Sequence, residues 1–172
     1  MEKIVNDFTI NIATANGTGS QSANLILLNA LFRMGTHASG KNLFPSNIAG
    51  LPTWYIVRVS DHGYQAPGDN THIQVVMNID TWSEDIEKLA PGTVLIHNTD
   101  VKAPVNREDL IIYSVPMTSM ARKINPKLSK MVANMIYVGI MAEMLEIPQN
   151  ILEEAISKQF GGKAKAIEIN SQ

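Results

Sequence analysis

Phe8, Ile10 and Ile12 alternate with Thr9, Asn11 and Ala13. That period of two predicts a strand. It runs into Asn16-Gly17-Thr18-Gly19-Ser20, a turn-rich cluster. From Ser22 to Phe32 the apolar spacing becomes helical, with Leu25, Leu28, Ala30, Leu31 and Phe32 as the expected core face, and Gly35 supplies a stop. The chain therefore opens as strand, glycine turn, helix.

Asn42 to Val57 carries no charge, and Pro45 and Pro52 argue against regular structure at its start; a strand is expected from about Trp54 to Ser60. A second strand fits His72 to Asn78. Thr81-Trp82-Ser83-Glu84 has the spacing of a capping box and predicts a helix ending near Leu89. Pro91-Gly92 turns the chain into a strand from Thr93 to His97, and another runs from Leu110 to Val115, closed by Pro116. Leu128 to Leu145 is almost continuously apolar, which predicts a helix buried on most sides. Pro148 precedes an amphipathic helix over Asn150 to Phe160, and Gly161-Gly162-Lys163-Ala164-Lys165 reads as an exit from the domain. Strands alternating with helices imply an α/β three-layer fold: a largely parallel sheet, helices on both faces, and a helical C-terminal third. The 172 residues suit one domain, 1–172.

Composition narrows the function classes. Fourteen basic against sixteen acidic residues give a net charge of -2, which argues against a nucleic-acid binder held by phosphate contacts. Zero cysteines exclude disulfides, a thiolate zinc site, a Cys-ligated iron–sulfur cluster and a cysteine nucleophile. Charged residues make up 17%, against about 25% in a typical domain, a hint that another protein covers part of the surface. The first residues carry mixed charge without an apolar core, unlike a secretory signal. The charge-free stretch Phe8 to Phe32 is too polar for a membrane span. The expected home is the cytoplasm.

Two segments stand out as candidate sites. Backbone N–H groups at the Gly17-Thr18-Gly19 turn, with Ser20 and Ser22 hydroxyls, suit a phosphate at a helix N-terminus. The dinucleotide fingerprint is incomplete, since position 22 is serine, and no Gly-Lys-Ser/Thr follows; a tight turn that only packs helix on sheet explains the same residues. The charge-free Asn42–Tyr55 segment, with Phe44, Pro45, Leu51 and Trp54, is either buried in its own domain or an interface plug. His37, His62, His72 and His97 lack metal-ligand spacing, and Met131, Met135, Val138 and Ala142 read as core. Lys163 and Lys165 suit an anion or, more simply, a solvated helix exit.

Several of these segments resemble one family. Asn16-Gly17-Thr18-Gly19-Ser20 after an apolar strand resembles the opening of the gamma module of 2-oxoacid:acceptor (ferredoxin) oxidoreductases. Phe44-Pro45-Ser46-Asn47-Ile48-Ala49-Gly50-Leu51-Pro52-Thr53-Trp54-Tyr55, continuing to Ser60, is similar to the form fused at the N-terminus of an alpha subunit, as in 2-oxoglutarate-type enzymes. Pro91-Gly92-Thr93-Val94-Leu95-Ile96 and Val132-Ala133-Asn134-Met135 through Gly139 fit the same pattern. Stand-alone gamma subunits carry a Gly-Gly-Gln-Gly turn and a Tyr-Gly-Pro-Glu segment, which this chain replaces.

The resemblance implies a subunit or domain of a thiamine-diphosphate enzyme that decarboxylates a 2-oxoacid oxidatively, reduces ferredoxin through iron–sulfur clusters and forms an acyl-CoA. The chain has no Tyr-Pro-Ile-Thr-Pro segment and no Gly-Asp-Gly motif, Gly68-Asp69-Asn70 being read as a loop. Thiamine diphosphate, Mg²⁺ and clusters are thus expected elsewhere in the assembly, and the isolated chain is expected to be inactive. The resemblance also implies other subunits or domains as partners, ferredoxin as an indirect one, and Gly17 to Ser22 beside the path of coenzyme A (CoA). The chain's end at Gln172 resembles the end of this module. Phe44, Pro45, Leu51 and Trp54 are the expected interface, through which an isolated chain would also form a homodimer. A free-standing nucleotide- or CoA-binding regulatory module and an assembly module without ligand remain the alternatives.

Overall fold

A computed structural model of the chain describes residues 6–45, 48–68, 70–161 and 167–168. Ser46, Asn47 and Asp69 and the Lys163–Lys165 pair lie outside the described residues. Six strands form one sheet in the order β2-β3-β1-β4-β5-β6: β1 (Asp7–Ala15), β2 (Ala38–Leu43), β3 (Pro52–Ser60), β4 (Ile73–Val76), β5 (Val94–Asn98) and β6 (Ile111–Val115). β3 is antiparallel to both neighbours, while β1, β4, β5 and β6 pair in parallel. β2, antiparallel to β3, therefore runs with β1, and β3 alone opposes the others. The sheet is largely parallel, as expected.

The helices are α1 (Ser20–Arg33), α2 (Trp82–Glu87), α3 (Met117–Ile124), α4 (Ser129–Met144) and α5 (Gln149–Gln159). One face of the sheet presents Ile10, Ile12, Val57, Val75 and Ile96 to α1, α3, α4 and α5 in the main core. Alternation sends Val76 and Leu95 to the opposite face, where they meet Trp82 and Ile86 of α2 and Leu89. These are the three layers that the alternating pattern predicts.

Differences from the sequence reading have local causes. α1 buries Ala23, Asn24, Ile26, Leu27, Ala30 and Leu31, whereas Leu25 and Leu28 are half-buried and Phe32 is exposed. Its core face is thus rotated from the expected one, and polar Asn24 enters it because its Oδ1 accepts from the Tyr137 hydroxyl of α4 at 2.8 Å. α4 is less enclosed than expected: Met131 and Gly139 face outward while Val132, Tyr137, Val138 and Met141 are buried. At α2 the expected capping box does not form. Thr81 sits at the cap, but its hydroxyl donates to Asp85 Oδ2 at 2.6 Å, and the Asn78 side chain accepts from Asp80 N–H at 3.0 Å in the preceding turn. β2 and α3 have no counterpart in the expectations.

Candidate functional site

The chain leaves β1 through α1 on one face of the sheet and leaves β4 through α2 on the other. Connections that part in this way open a crevice at the carboxyl ends of the two strands. Here that crevice encloses about 430 Å³. Thr14 and Ala15 from β1, Met77 after β4 and Asn98 from β5 form one wall; Thr118 and Arg122 of α3 and Lys130, Ala133 and Asn134 of α4 form the other. Thr18 of the glycine turn and Asp100 and Lys102 of the β5–β6 connection complete it.

Charge distinguishes the crevice from the rest of the chain. Lys102, Arg122 and Lys130 line it against one carboxylate, Asp100, in a protein whose net charge is -2. None of the three cationic side chains has an ion-pair partner within 4 Å among the described residues. Lys102 adopts φ 53° after a 3₁₀ turn at Thr99–Val101. A left-handed conformation is uncommon for lysine, and its N–H closes the turn on Thr99 O at 3.1 Å.

Asp100 is already engaged. Its carboxylate accepts from Ser119 N–H at 2.8 Å and from the Ser119 hydroxyl at 2.5 Å, capping α3. Desolvation raises the carboxyl pKa, but the Ser119 and Thr118 hydrogen bonds and the Arg122 charge outweigh it and hold Asp100 below the usual carboxylate range. Asn98 donates to the Thr118 hydroxyl at 2.8 Å and accepts from Thr118 N–H at 3.4 Å, so the end of β5 and the start of α3 are joined twice. The α3 N-terminus is thereby filled from within, leaving Lys102, Arg122 and Lys130 as the positive charges that face the crevice.

The glycine turn is held rigidly. Gly17 and Gly19 have φ 81° and 83°, which β-carbon-bearing residues rarely adopt. A Cβ on Gly17 would lie 3.3 Å from Ala49 Cβ, and one on Gly19 would lie 3.1 Å from Met131 Cγ. The Thr18 hydroxyl donates to Ala15 O at 2.8 Å, and the Asn134 side chain donates to Thr18 O at 2.9 Å. Of the five expected contact residues, Thr18 lines the crevice. Ser20 lines a smaller pocket on the other side of the turn, while Gly17, Gly19 and Ser22 line neither.

Among the expected interface residues, Phe44 is 53% and Leu51 40% exposed, and Pro45 is exposed. Trp54 is half-buried, and its indole N–H donates to Asp85 Oδ1 at 2.9 Å. Desolvation raises the Asp85 pKa despite the bonds from Thr81 and Trp54. His72 Nδ1 accepts from Thr9 N–H at 3.1 Å, and His97 Nε2 meets Ser114 Oγ at 2.7 Å beside the Trp82 ring. Among the described residues no group of three His, Asp or Glu is arranged to hold a metal ion. No described helix is long and apolar enough to cross a membrane. Lys102, Arg122, Lys130 and Asn134 were missed as site residues because they are spread over the β5–β6 connection, α3 and α4, far in sequence from the glycine turn; only the run Val132 to Gly139 singled out Asn134 at all.

The geometry defines a three-layer α/β domain with a glycine turn and a cationic crevice at its switch point. Residues 9–172 match the family described as pyruvate ferredoxin/flavodoxin oxidoreductase, and the chain belongs to that family. This is the family that the Asn16–Ser20 and Phe44–Ser60 segments resemble. The chain is 23% identical, over 210 aligned positions, to the alpha subunit of 2-oxoacid:ferredoxin oxidoreductase 2 of Aeropyrum pernix, covering 95% of this chain and 32% of that protein. It superposes on 2-oxoglutarate:ferredoxin oxidoreductase of Magnetococcus marinus with a TM-score of 0.85 and 26% identity, covering 96% of this chain and 29% of that one. That structure contains 2-oxoglutarate, CoA and succinyl-CoA. The chain thus spans about a third of the length of these relatives. The pyruvate oxidoreductase subunit PORC of Thermotoga maritima shares the fold at a TM-score of 0.71 and 21% identity, covering 96% of this chain and 92% of that one.

Proposed function

We propose that the chain serves as a gamma-type, non-catalytic subunit or domain of a thiamine-diphosphate-dependent 2-oxoacid:ferredoxin oxidoreductase. Its roles are assembly and one wall of the path that CoA takes. The observation that carries this reading is the crevice at the β1/β4 switch point, where Lys102, Arg122 and Lys130 converge beside Thr18. CoA carries phosphates, and a cleft lined by three cations against one carboxylate suits them. The CoA in the Magnetococcus marinus relative supports the same ligand.

In this reading the other cofactors are held elsewhere in the assembly. Iron–sulfur clusters need thiolates, and the chain has no cysteine. In this reading those groups, and ferredoxin docking, belong to other subunits or domains. Phe44, Pro45 and Leu51, with the flank of Trp54, would meet those partners.

The test is kinetic, in an enzyme reconstituted with its partners at confirmed stoichiometry. Arg122→Ala and Lys130→Ala should each raise the Michaelis constant for CoA about fivefold, with that for the 2-oxoacid unchanged. Equal effects on both constants, or none on CoA, would leave assembly as the module's role. The close packing of Gly17 on Ala49 and of Gly19 on Met131 favours that second reading of the turn.

A further inference from the structure

The two edges of the sheet are built differently. β2, at one end, is Ala-Ser-Gly-Lys-Asn-Leu, and Lys41 is exposed within it. A lysine on an edge strand discourages a further strand from pairing there. β6, at the other end, is Ile-Ile-Tyr-Ser-Val and carries neither charge nor proline. The chain has no charged residue from Leu110 to Ala121. Ile111 and Tyr113, on one face of the sheet, are 51% and 46% exposed, and Ile112, on the other, is 38% exposed. β6 is thus uncovered on both faces as well as along its outer edge.

That outer edge has a defined hydrogen-bonding pattern. Ile111 N–H donates to Thr93 O at 3.0 Å, on the β5 side. In a parallel ladder alternate residues bond to one neighbour. Ile111, Tyr113 and Val115 therefore serve β5, and the N–H and C=O groups of Ile112 and Ser114 point outward. Two donors and two acceptors at this spacing are what the backbone of another strand satisfies.

Strand length selects the source of that strand. Five residues span about 17 Å, and Pro116 has no N–H to extend the ladder. A second copy paired on β6 would share a strip of that length and one strand wide. This falls well short of the roughly 800 Å² per partner that a stable dimer buries. A segment already held nearby by other contacts needs no larger area, because its pairing is intramolecular in effect. This chain covers 32% and 29% of its Aeropyrum pernix and Magnetococcus marinus relatives, so the greater part of each lies outside this module and can supply such a segment.

We infer that β6 receives a strand from another subunit or domain of the oxidoreductase, which adds a seventh strand to the sheet. That strand is an extended segment without charge over about five residues, matching β6. Exposed Glu108, just before β6, favours a basic residue at the neighbouring end of the segment. The inference rests on the assembly role proposed above.

The test is hydrogen–deuterium exchange of the Ile112 and Ser114 amides, in the full chain alone and in the enzyme reconstituted with its partners at confirmed stoichiometry. Fast exchange in the chain alone and about a hundredfold protection in the assembly are expected. Tyr113→p-benzoylphenylalanine should cross-link to one uncharged partner segment. Ile112→Pro removes an outward N–H and should weaken assembly about tenfold, with the Michaelis constant for CoA unchanged once assembled. Should Ile112→Pro not fold, Ile112→Lys, which copies the guard on β2, decides alone. Unprotected amides in an assembled enzyme, or parental assembly by the folded variant, would overturn the inference and leave the proposed function standing. Protection in the chain alone that rises with concentration, or a cross-link to a second copy, would overturn it in favour of self-pairing. Failure of the chain to assemble at all would sink both.

Discussion

Asn134 donates its side-chain N–H to Thr18 O at 2.9 Å, tying α4 to a turn that lies 116 positions earlier in the chain. Both residues line the crevice, so this bond sets the distance between its two walls. Asn134→Ala removes a bond to a half-buried carbonyl and should cost about 0.5–1.5 kcal/mol of stability. A urea denaturation series checks this; a midpoint equal to the parent's would mean that the turn holds its shape without α4.

The isolated chain is expected to oxidise no 2-oxoacid, even with thiamine diphosphate, Mg²⁺, CoA and a viologen acceptor. It has no cysteine for a cluster, and among its described residues no group of three His, Asp or Glu is placed to hold a metal ion. Turnover by a preparation free of other proteins would refute the non-catalytic role.

Gly19→Ala is expected to destabilise the fold by about 1–2 kcal/mol, the cost of a left-handed conformation for a residue with a Cβ. Met131 approaches the same point, yet its flexible side chain can yield. Gly19→Asn should therefore cost less than Gly19→Ala, because asparagine tolerates positive φ. The reverse order in thermal melts would show that contact with Met131, not backbone strain, decides.

Acid should weaken the fold through His97. Desolvation lowers its pKa below the ordinary 6.5, and its Nδ1 is buried without a partner. Above pH 6.5 the ring is neutral in folded and unfolded chains alike. As pH falls below 6.5, the unfolded chain takes up the proton first, so stability drops until the folded ring also titrates. His97→Gln should flatten this limb, read as urea midpoints at several pH values. Asp85 works oppositely and in a lower window. Its raised folded pKa makes the native state bind the proton first as pH falls towards 3.8.

Phe44→Asp should abolish any self-association of the isolated chain and weaken assembly with its partners, leaving the melt unchanged. Phe44 is more exposed than Trp54, whose indole N–H is bonded to Asp85 inside the domain. Sedimentation velocity of both forms gives the answer; an oligomer of unaltered size would move the interface elsewhere.

Where alternation or helical spacing was strong, the fold was legible. β1, β4, β5 and β6 lie within two residues of their expected bounds, because Val, Ile and Leu alternate or cluster there. β2 is Ala-Ser-Gly-Lys-Asn-Leu, poor in β-formers, and it is a strand because β3 offers it a ladder. Gly40 within it also makes room for the Tyr55 hydroxyl, a packing requirement that no local pattern announces. α3 did carry a signal, the 117-120-121-124 apolar spacing, of which Met117 and Ala121 reach the core. The crevice was half legible. Its glycine turn stood out, whereas Lys102, Arg122 and Lys130 are isolated charges that only the topology brings together.

The long reach of the Asn134–Thr18 bond has a consequence for the order of events during synthesis. α1 and its turn leave the ribosome early, and β4 and β5 follow, but the far wall of the crevice is supplied by α3 and α4. A nascent chain that stops before residue 134 cannot close that wall. It also leaves Ile12, Ala23 and Leu27 without their helical cover. Such a fragment exposes apolar surface and is a natural client for chaperones. The crevice thus closes late and all at once, when the last third of the chain docks.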